Sequence, residues 1–376
     1  MTTKTRKQII LSLLDFFHDG LVISGLTSLC LTGIVVMTQQ LHGKHSHDTF
    51  DGPQKFHIDP TPRVGGLPVF LALVVACFAS PQSISTLLCP MVIASLPAFA
   101  AGLVEDLTKR VSALNRLLAT MLSGIAAWWF TGYSITHLEI IGVDALLAYL
   151  PLSVAFTVFA VAGVAHAINM IDGFNGLASG TIMLLFVALG LIALEVGDRE
   201  LAQLCLTIVV ILTGFIVFNY PFGKIFLGDG GAYVLGFLLA WVAVMLPMRT
   251  RQVSVWAPLL VCAYPINEAL FTMGRRYVQK ASLGMPDSAH LHSLIKIKII
   301  RLYFGHLPQK IRNSLVAPFC WTYAALVSGI AVWQYSHTDI LVAAWVISFL
   351  LYVLIYAYLR HSTIPVMKEH QELPRQ

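Results

Sequence analysis

Charged residues are scarce in this sequence. Asp, Glu, Lys and Arg make up 11% of its 376 residues, whereas a soluble domain carries about 25%. Apolar residues make up 57% of the chain, and its mean hydropathy is +0.76. A soluble protein of this size could not bury so much apolar surface. The shortage of charge therefore excludes a soluble domain and indicates a chain whose solvent is lipid.

Cysteine pairs, a long basic stripe and a signal-peptide cleavage site are missing too. No CxxC occurs, so we interpret the six cysteines as small core residues and not as disulfides or metal ligands. The net charge of +5 comes from basic residues in short loops, which argues against a nucleic-acid surface. Lys4, Arg6 and Lys7 precede an apolar run, but Asp15 and Asp19 interrupt it. This pattern favours a short surface helix over a secretory signal.

Long apolar runs dominate the rest of the chain. A membrane-spanning helix needs about 20 apolar residues, and eleven stretches approach that length: 18–39, 66–81, 84–104, 113–131, 150–168, 177–195, 200–218, 231–248, 254–274, 314–333 and 339–359. We predict an all-α polytopic membrane protein with 10–11 transmembrane helices. No internal repeat is visible, so residues 1–376 form one domain with an N-terminal segment 1–17 and a C-terminal tail 360–376. The β-branched stretch 137–147 predicts a short outer hairpin.

Basic residues are distributed unevenly between the two ends of these spans. Eighteen of the 24 Lys and Arg residues lie on one side, in the loops 40–65, 105–116, 169–176, 219–230 and 275–313 and in the tail 360–376. Loops rich in Lys and Arg stay in the cytosol. We therefore expect this side to be cytosolic and the N-terminus to lie outside, although its three basic residues argue weakly against that orientation.

Carboxylates cluster where spans end on the same side: Glu105, Asp106, Asp172, Asp229 and Asp287. A transporter would carry its ionisable groups near the middle of the membrane, beside broken helices. At the helix ends the carboxylates avoid a cost of about 2.5–3.5 kcal/mol each at mid-membrane. They can also converge on a ligand just below the lipid headgroups. This placement favours chemistry between a water-soluble donor and a lipid acceptor.

Two glycine-containing segments carry acidic and amide oxygens. In GLVEDLTKR, the adjacent Glu105 and Asp106 precede Lys109, and such a set can bind Mg²⁺ and phosphate together or supply a base. In NMIDGFNGLASG, Asn169 and Asp172 offer hard oxygen ligands in a loop whose glycines allow close approach of a ligand. Each pattern alone is equally typical of a solvated helix end or an ordinary turn between two helices.

Three further segments offer phosphate contacts. NYPFGKIFLGDGG places Asp229 and Lys224 before a helix N-terminus, which attracts anions, although it lacks the order of a Walker A loop. PDSAHLHS carries His290 and His292, which share a face if the segment is extended. HIDPTPRVGG carries Arg63, which could hold a phosphate through two hydrogen bonds. The alternatives for the last two segments are incidental loop histidines and, in a rigid loop, an arginine reaching the headgroups.

One acidic residue falls inside a predicted span. Glu268 follows Pro265 and Asn267 in the ninth span, about two turns from its cytosolic end. An ionisable residue within the membrane is a functional candidate by default. The alternative is a proline-kinked helix in which polar side chains satisfy the freed backbone groups.

Taken in order along the chain, these segments resemble a known family. The patterns HxxPTPRxGG, GLxEDxTKR, NMIDGFNGL, FxGDGGA and PDxxHLHS are similar to those of the polyprenyl-phosphate N-acetylhexosamine-1-phosphate transferases. The resemblance covers residues 51–295 and implies the family's membrane fold and a cytoplasmic active site in the bacterial inner membrane. It implies that a sugar 1-phosphate, for example N-acetylglucosamine 1-phosphate, passes from a UDP-sugar to undecaprenyl phosphate or a similar lipid. UMP would be released in the first step of a cell-envelope polysaccharide pathway.

The resemblance also implies site residues. It places the catalytic acids on Glu105, Asp106 and Asp172, and a Mg²⁺ ion, or alternatively Mn²⁺, on Asn169 and Asp229. It implies that Asn175 faces the uridine, that Lys109 faces the phosphates and that the two histidines belong to the basic loop. With the residues chosen from the segments themselves, the expected substrate-binding set is Arg63, Lys109, Asn175, Lys224, Glu268, His290 and His292.

Three positions depart from the family's usual pattern. Glu105 stands where most members have Asp, and Asn175 replaces an Asp found in many of them. Ser293 stands where many members have a third histidine, which favours the N-acetylglucosamine branch over the muramoyl-pentapeptide branch.

The expected reaction is attack of the acceptor phosphate on the β-phosphorus of the UDP-sugar. Either Asp106 or Asp172 would hold or deprotonate the lipid phosphate, and a covalent aspartyl route is the alternative. The rival class is a transporter or flippase, which predicts paired charges at mid-membrane or inverted repeats. A CDP-alcohol transferase would need a DGxxAR run, which is missing. We expect no nucleic-acid partner, and a homodimer is compatible with the sequence.

Overall fold

The structure is a computed structural model that describes residues 18–46, 61–280, 287 and 289–362. The predicted surface helix over 1–17, residues 57–60 of the first motif and the tail beyond 362 lie outside the described residues. The first eleven helices are α1 Asp19–Met37, α2 Gln39–Ser46, α3 Gly66–Ala79, α4 Gln82–Ala94, α5 Leu96–Thr108, α6 Ala113–Thr131, α7 Val143–Leu147, α8 Leu150–Met170, α9 Leu177–Glu195, α10 Arg199–Asn219 and α11 Gly228–Arg249. The remaining seven are α12 Trp256–Val261, α13 Ala263–Val278, α14 Leu291–Ile295, α15 Arg301–Tyr303, α16 Gln309–Ser314, α17 Val316–Trp333 and α18 Thr338–His361, with a π-helical turn at Lys296–Ile300 between α14 and α15.

The described residues confirm an all-α membrane protein. Seven helices are long and apolar enough to cross a membrane, or eight if the bent pair α4–α5 counts as one span. Each of the eleven predicted stretches contains a helix, but some of these helices are short or broken. α3 has 14 residues, and the ninth stretch is divided between α12 and α13. The number of full-length spans is therefore smaller than the sequence predicts.

Proline explains the bend between α4 and α5. The two helices meet at Ser95 with an angle of 49°, close to Pro90 inside α4 and Pro97 in the first turn of α5. Proline donates no backbone hydrogen bond and clashes with the preceding turn. The bend reorients α5 as it runs towards Asp106.

α11 is the central helix of the bundle. It packs against α3, α5, α6, α8 and α9, and its side chains are buried along almost its whole length. A helix that is apolar on every face is expected at the centre of a membrane bundle, where other helices cover it. The first residues of α11 therefore lie at a point that several helix ends can reach.

The predicted outer hairpin is wrong. Residues 143–147 form the short helix α7, and no β-strand occurs among the described residues. The preceding loop instead docks on the bundle, because Trp256 Nε1 donates to the Leu138 carbonyl at 2.9 Å and Ser254 Oγ donates to Glu139 Oε2 at 2.7 Å. β-branched composition alone does not provide the partner strand that a hairpin needs.

Candidate functional site

Asp106 caps the N-terminus of α11. Its Oδ1 accepts a hydrogen bond from the Asp229 backbone N–H at 2.9 Å, and its Oδ2 accepts one from the Gly230 N–H at 2.9 Å. The first N–H groups of a helix have no partner within the helix, and this end carries partial positive charge. A carboxylate from the last turn of α5 satisfies both needs. Asp106 is 1% exposed, so it holds α5 and α11 together as well as contributing charge.

Glycines allow α3 and α5 to approach α11 closely. A Cβ atom on Gly102 would lie 2.6 Å from the Asp229 carbonyl carbon, and a Cβ on Gly66 would collide with the backbone of Gly231. Small residues allow helix backbones to approach closely in a membrane. Gly228 has φ +73° and faces the Arg63 carbonyl, a conformation that glycine adopts without strain.

The segment before α3 places Arg63 beside the capped helix. The Phe226 N–H donates to the Pro62 carbonyl at 2.8 Å, and the Gly65 N–H donates to the Phe226 carbonyl at 3.0 Å. With the backbone held in this way, Arg63 Nη2 lies 3.3 Å from Asp229 Oδ1 and Nε lies 3.9 Å from Asp106 Oδ1. One guanidinium group therefore faces both carboxylates.

Asp229 is the residue on which the site converges. Its Oδ1 accepts a hydrogen bond from Asn169 Nδ2 at 3.0 Å and contacts Arg63, while its Oδ2 is paired with Arg116 Nη1. The residue is 6% exposed. A carboxylate so buried needs paired charge and hydrogen bonds. The pairing of Asp229 with Arg63 and Arg116 shows that this position attracts cations.

Arg116 is a site residue that the sequence reasoning missed. It lies in the second turn of α6, and its Cζ atom is 5.8 Å from the centroid of the Tyr233 ring, within the range of a cation–π contact. The Tyr233 hydroxyl in turn lies 3.2 Å from His166 Nδ1. In the sequence, Arg116 contributes only to the number of basic residues on the cytosolic side. A cation just inside an apolar helix was the signal that could have identified it.

Asp172 lies in the loop between α8 and α9, close to the start of α11. Burial raises the pKa of Asp172 to about 6, and Arg63 and the Gly228 backbone N–H oppose that rise. A carboxyl group that titrates near neutral pH is suited to accept and release a proton. The structure thus brings Arg63, Asp106, Asn169, Asp172 and Asp229 together at the start of α11, and their catalytic and metal-binding roles stay predictions.

Three of the predicted residues lie apart from this centre. Glu105 Oε2 accepts a hydrogen bond from the Val111 N–H at 2.7 Å. This carboxylate therefore bonds to the loop that follows α5 and not to the groups around Asp229. Lys109 ends α5 with φ 57° and is exposed, close enough to Asp106 to act on its charge. Lys224 is also exposed. These two lysines remain predicted phosphate contacts.

Asn175 joins two loops of the site. Its Nδ2 donates to the Pro221 carbonyl at 2.9 Å, and its side chain is 1% exposed. Next to it, Asn219 Oδ1 accepts a hydrogen bond from the Gly176 N–H at 2.9 Å. These bonds fix the loop of Asp172 against the segment that leads into α11. Because this side chain is buried against protein groups, its placement gives the predicted uridine contact no support.

Glu268 and the two histidines form a second polar group beside the first. Glu268 Oε1 lies 3.0 Å from His290 Nδ1, and Oε2 lies 3.7 Å from His292 Nδ1. The His292 ring packs edge-on against Phe174, with centroids 5.6 Å apart. The histidine segment therefore adjoins the loop that carries Asp172. Glu268 itself has no exposed surface and lies behind the histidines, not in the predicted contact with substrate.

The oxygen donors at Asp229 fit a magnesium ion. The described residues contain no group of three or more His, Cys, Asp or Glu side chains placed to hold a metal. Magnesium, however, is usually bound through one or two carboxylates while phosphate and water oxygens complete its shell. Asp229 supplies one carboxylate and Asn169 lies next to it. The metal prediction therefore stays a prediction that the donor chemistry supports.

The fold and the site together define a multi-pass membrane protein with a centre of paired charges at the ends of its helices. The model of the family described as glycosyl transferase family 4 matches residues 88–247. The chain is therefore similar to this family over its central part. The matched region contains Asp106, Arg116, Asn169, Asp172 and Asp229, the residues that meet at the start of α11.

Three relatives carry similar printed names. The chain is 29% identical over 246 residues to a probable undecaprenyl-phosphate N-acetylglucosaminyl 1-phosphate transferase of Bacillus subtilis (strain 168), covering 64% of this chain and 66% of the relative. It is 29% identical to an undecaprenyl-phosphate alpha-N-acetylglucosaminyl 1-phosphate transferase of Thermotoga maritima, covering 65% and 72%. A protein of Escherichia coli O157:H7 with the same printed name is 27% identical, with 81% of both chains covered. The match thus spans about two thirds of the first relative's length.

Proposed function

We propose that this protein transfers an N-acetylhexosamine 1-phosphate, with N-acetylglucosamine 1-phosphate the first candidate, from a UDP-sugar to undecaprenyl phosphate and releases UMP. The relatives' printed names support the acceptor and the sugar. The observation that carries the proposal is the position of Asp229. This carboxylate is held between Arg63, Arg116 and Asn169 at the N-terminus of the central helix. Charges of both signs at a helix N-terminus are suited to phosphate chemistry.

Phosphoryl transfer between two anions requires positive charge. An oxygen of the acceptor phosphate forms a bond to the β-phosphorus, and the bond from that phosphorus to the oxygen bridging to the α-phosphate breaks, so that UMP leaves with the electron pair. Two unit charges 4 Å apart repel by about 4 kcal/mol at an effective dielectric constant of 20. Arg63 and Arg116 supply two fixed cations. A Mg²⁺ ion held by Asp229 and Asn169 would add charge neutralisation at the diphosphate.

The surroundings of the two candidate acids support different roles for them. Both oxygens of Asp106 accept backbone hydrogen bonds from α11, so we assign Asp106 to holding the site in place. Asp172 is half-buried, and its raised pKa suits proton transfer. We therefore propose Asp172 as the group that accepts the proton of the acceptor phosphate. The covalent aspartyl route remains the alternative for the same residue.

The site faces the cytosol in this proposal. Most Lys and Arg residues belong to the loops at the end where the site lies, and the positive-inside rule assigns that end to the cytosol of a bacterial inner membrane. UDP-sugars are then taken directly from the cytosol, while the acceptor reaches the site from the lipid.

Transport is the less favoured alternative. The charged groups around Asp229 lie at helix ends, not at the middle of the membrane where a transporter binds its substrate. The family and the printed names of the relatives also concern transferases.

Release of UMP tests the proposal directly. Full-length protein purified in detergent would be incubated with undecaprenyl phosphate and a panel of UDP-N-acetylhexosamines, and both UMP and lipid-linked product would be measured. We expect product with at least one donor and its loss in Asp229→Ala. Asp339→Ala is the matched control, because Asp339 is an exposed acid at the opposite end of the bundle.

The metal would be tested by chelation followed by addition of Mg²⁺ or Mn²⁺. We expect chelation to abolish product formation and the added ion to restore it. Unchanged activity in Asp229→Ala would show that this residue is not part of the site. Full activity in the presence of chelator would show that the reaction needs no metal ion.

A further inference from the structure

Glu268 is an acidic residue for which the proposed mechanism has no direct use. It lies in the middle of α13, and none of its surface is exposed. A carboxylate removed from water in this way is costly unless other groups pair with it. Its partners should therefore indicate what this acid does.

The partners of Glu268 come from the loop that precedes α14. His290 Nδ1 lies 3.0 Å from Oε1, and the Leu291 backbone N–H donates to the same oxygen at 3.3 Å. His292 Nδ1 is 3.7 Å from Oε2. An ionised carboxylate can only accept hydrogen bonds, so His290 donates through Nδ1–H, which leaves its Nε2 for another partner.

One carboxylate thus bonds to the His290 ring and lies within ion-pair distance of the His292 ring. The rings of His290 and His292 are stacked with centroids 5.1 Å apart and an interplanar angle of 13°. Two charged rings at this distance would repel each other. Burial lowers the pKa of His292 to about 4, although Glu268 acts to raise it. The arrangement therefore favours a neutral His292 ring.

The backbone that carries Glu268 is held in place by its neighbours. Asn267 Nδ2 donates to the Tyr323 hydroxyl at 2.9 Å and to Ser348 Oγ at 3.2 Å. The Tyr323 hydroxyl donates to the Ser348 carbonyl at 2.9 Å. These contacts connect α13 to α17 and α18, so Glu268 projects from a position that three helices define.

The histidines lie between Glu268 and the site. His292 packs against Phe174, two residues after Asp172, and Gly173 also faces the His292 ring. A shift of the segment that carries His290 and His292 would therefore also displace the loop that carries Asp172. A carboxylate that orients a histidine through one ring nitrogen prepares the other nitrogen for a ligand.

We propose that Glu268 is a positioning residue that acts through His290 and His292, seating them against the Asp172 loop so that they contact the phosphates of the UDP-sugar. This inference rests on the proposed function. Glu268 touches no substrate in it. Its effect on the reaction passes entirely through the histidines, so removing both partners should cost no more than removing one.

A double-mutant cycle tests this dependence. Glu268→Gln, His290→Ala and the double variant would be assayed for kcat and KM with UDP-N-acetylglucosamine, using full-length protein. Each single change should lower kcat/KM about 10- to 100-fold, the usual effect of losing a partner that orients a ligand-binding histidine. The double variant should match the worse single variant, because residues that act as a unit are not additive. Glu195→Gln, an exposed acid at the opposite end, is the matched control.

A merely structural role would give different results. It would lower kcat and the melting temperature together and leave KM unchanged, whereas we expect KM to rise and Glu268→Asp to restore part of the activity. If Glu268→Gln does not fold, Glu268→Asp replaces it in the cycle.

A double variant whose loss of kcat/KM equals the product of the two single losses would overturn the positioning role. An inactive wild-type protein would instead overturn the proposed function, so the two failures can be told apart.

Discussion

Asp229 shows how a single side chain acquires its chemistry. Arg63, Arg116 and Asn169 reach it from three different segments, and its own backbone N–H is bonded to Asp106. An isolated carboxylate would bind a cation weakly and without defined geometry. Here the surrounding groups fix its direction, which is the preorganisation that a charged transition state requires.

Substitution of Arg116 tests the residue that the sequence reasoning missed. We expect Arg116→Ala to lower kcat/KM for the UDP-sugar by about 10²–10³-fold, the typical loss when one preorganised charge donor is removed. Arg116→Lys should recover only part, because lysine lacks the planar group that pairs with Asp229 and contacts Tyr233. Arg251→Ala, an exposed arginine at the opposite end, should behave like wild type. Equal activity in Arg116→Ala and Arg251→Ala would remove Arg116 from the site.

Asp172 predicts the pH dependence of the reaction. Because its folded-state pKa is raised to about 6, the carboxyl is protonated below that pH and cannot accept a proton. We expect kcat/KM to rise with pH up to about 6 and then to level off. The acceptor phosphate also titrates near pH 6, so Asp172→Asn is the essential comparison. If the same acid limb persists in this variant at similar rates, the phosphate alone causes it and Asp172 is not the base.

At the scale of helices, the site depends on how closely α3, α5 and α11 approach. Gly66 and Gly102 permit contacts that any side chain would block. The close approach brings the end of α5 to the start of α11, where Asp106 accepts hydrogen bonds from the Asp229 and Gly230 N–H groups. Helix packing and the site are thus built by the same contacts.

Gly102→Ala tests this dependence. The added methyl group would lie 2.6 Å from the Asp229 carbonyl carbon, so α5 and α11 must separate. Forcing extra atoms into a packed interface typically costs about 1–3 kcal/mol. We expect a lower melting temperature and at least a tenfold loss of transferase activity. Gly163→Ala is the matched control, since nothing lies within 4 Å of a Cβ built there. Full activity in Gly102→Ala would show that the helix contact is not needed.

At the scale of the whole molecule, the two ends of the bundle differ in the charged groups that they carry. The site lies at one end, whereas the other is closed by ion pairs such as Arg249 Nε to Asp198 Oδ2 at 2.6 Å. The basic loops belong to the first end. A transferase that uses a soluble donor and a lipid acceptor needs this asymmetry, because its two substrates arrive from different phases.

Cysteine labelling would test the orientation. In a variant without the native cysteines, Lys224→Cys places a thiol at the site end and Arg251→Cys places one at the opposite end; both positions are exposed. A membrane-impermeant maleimide added to intact spheroplasts should label only Arg251→Cys. Inverted vesicles should give the reverse. Labelling of Lys224→Cys from outside would contradict a cytosolic site.

Some features of this protein can be predicted from its sequence and others cannot, for physical reasons. Apolar runs and helix-end motifs are local, so the sequence was sufficient to predict the all-α membrane fold and to select Asp172 and Asp229. The outer hairpin was wrong, since strand formation depends on a partner that composition does not specify. The broken spans also escaped prediction, because apolar content does not reveal where prolines bend a helix.

By itself, the sequence determined that the chain lies in lipid and that its carboxylates lie at helix ends, because both follow from composition and spacing. Only the tertiary structure decided what each of those groups does. Asp106 caps a helix through a hydrogen bond from a residue 123 positions away, Glu105 accepts one from nearby Val111, and Glu268 pairs with His290, 22 positions further on. The role of a carboxylate depends on the partners that complete its hydrogen bonds, and the packing of distant helices chooses those partners.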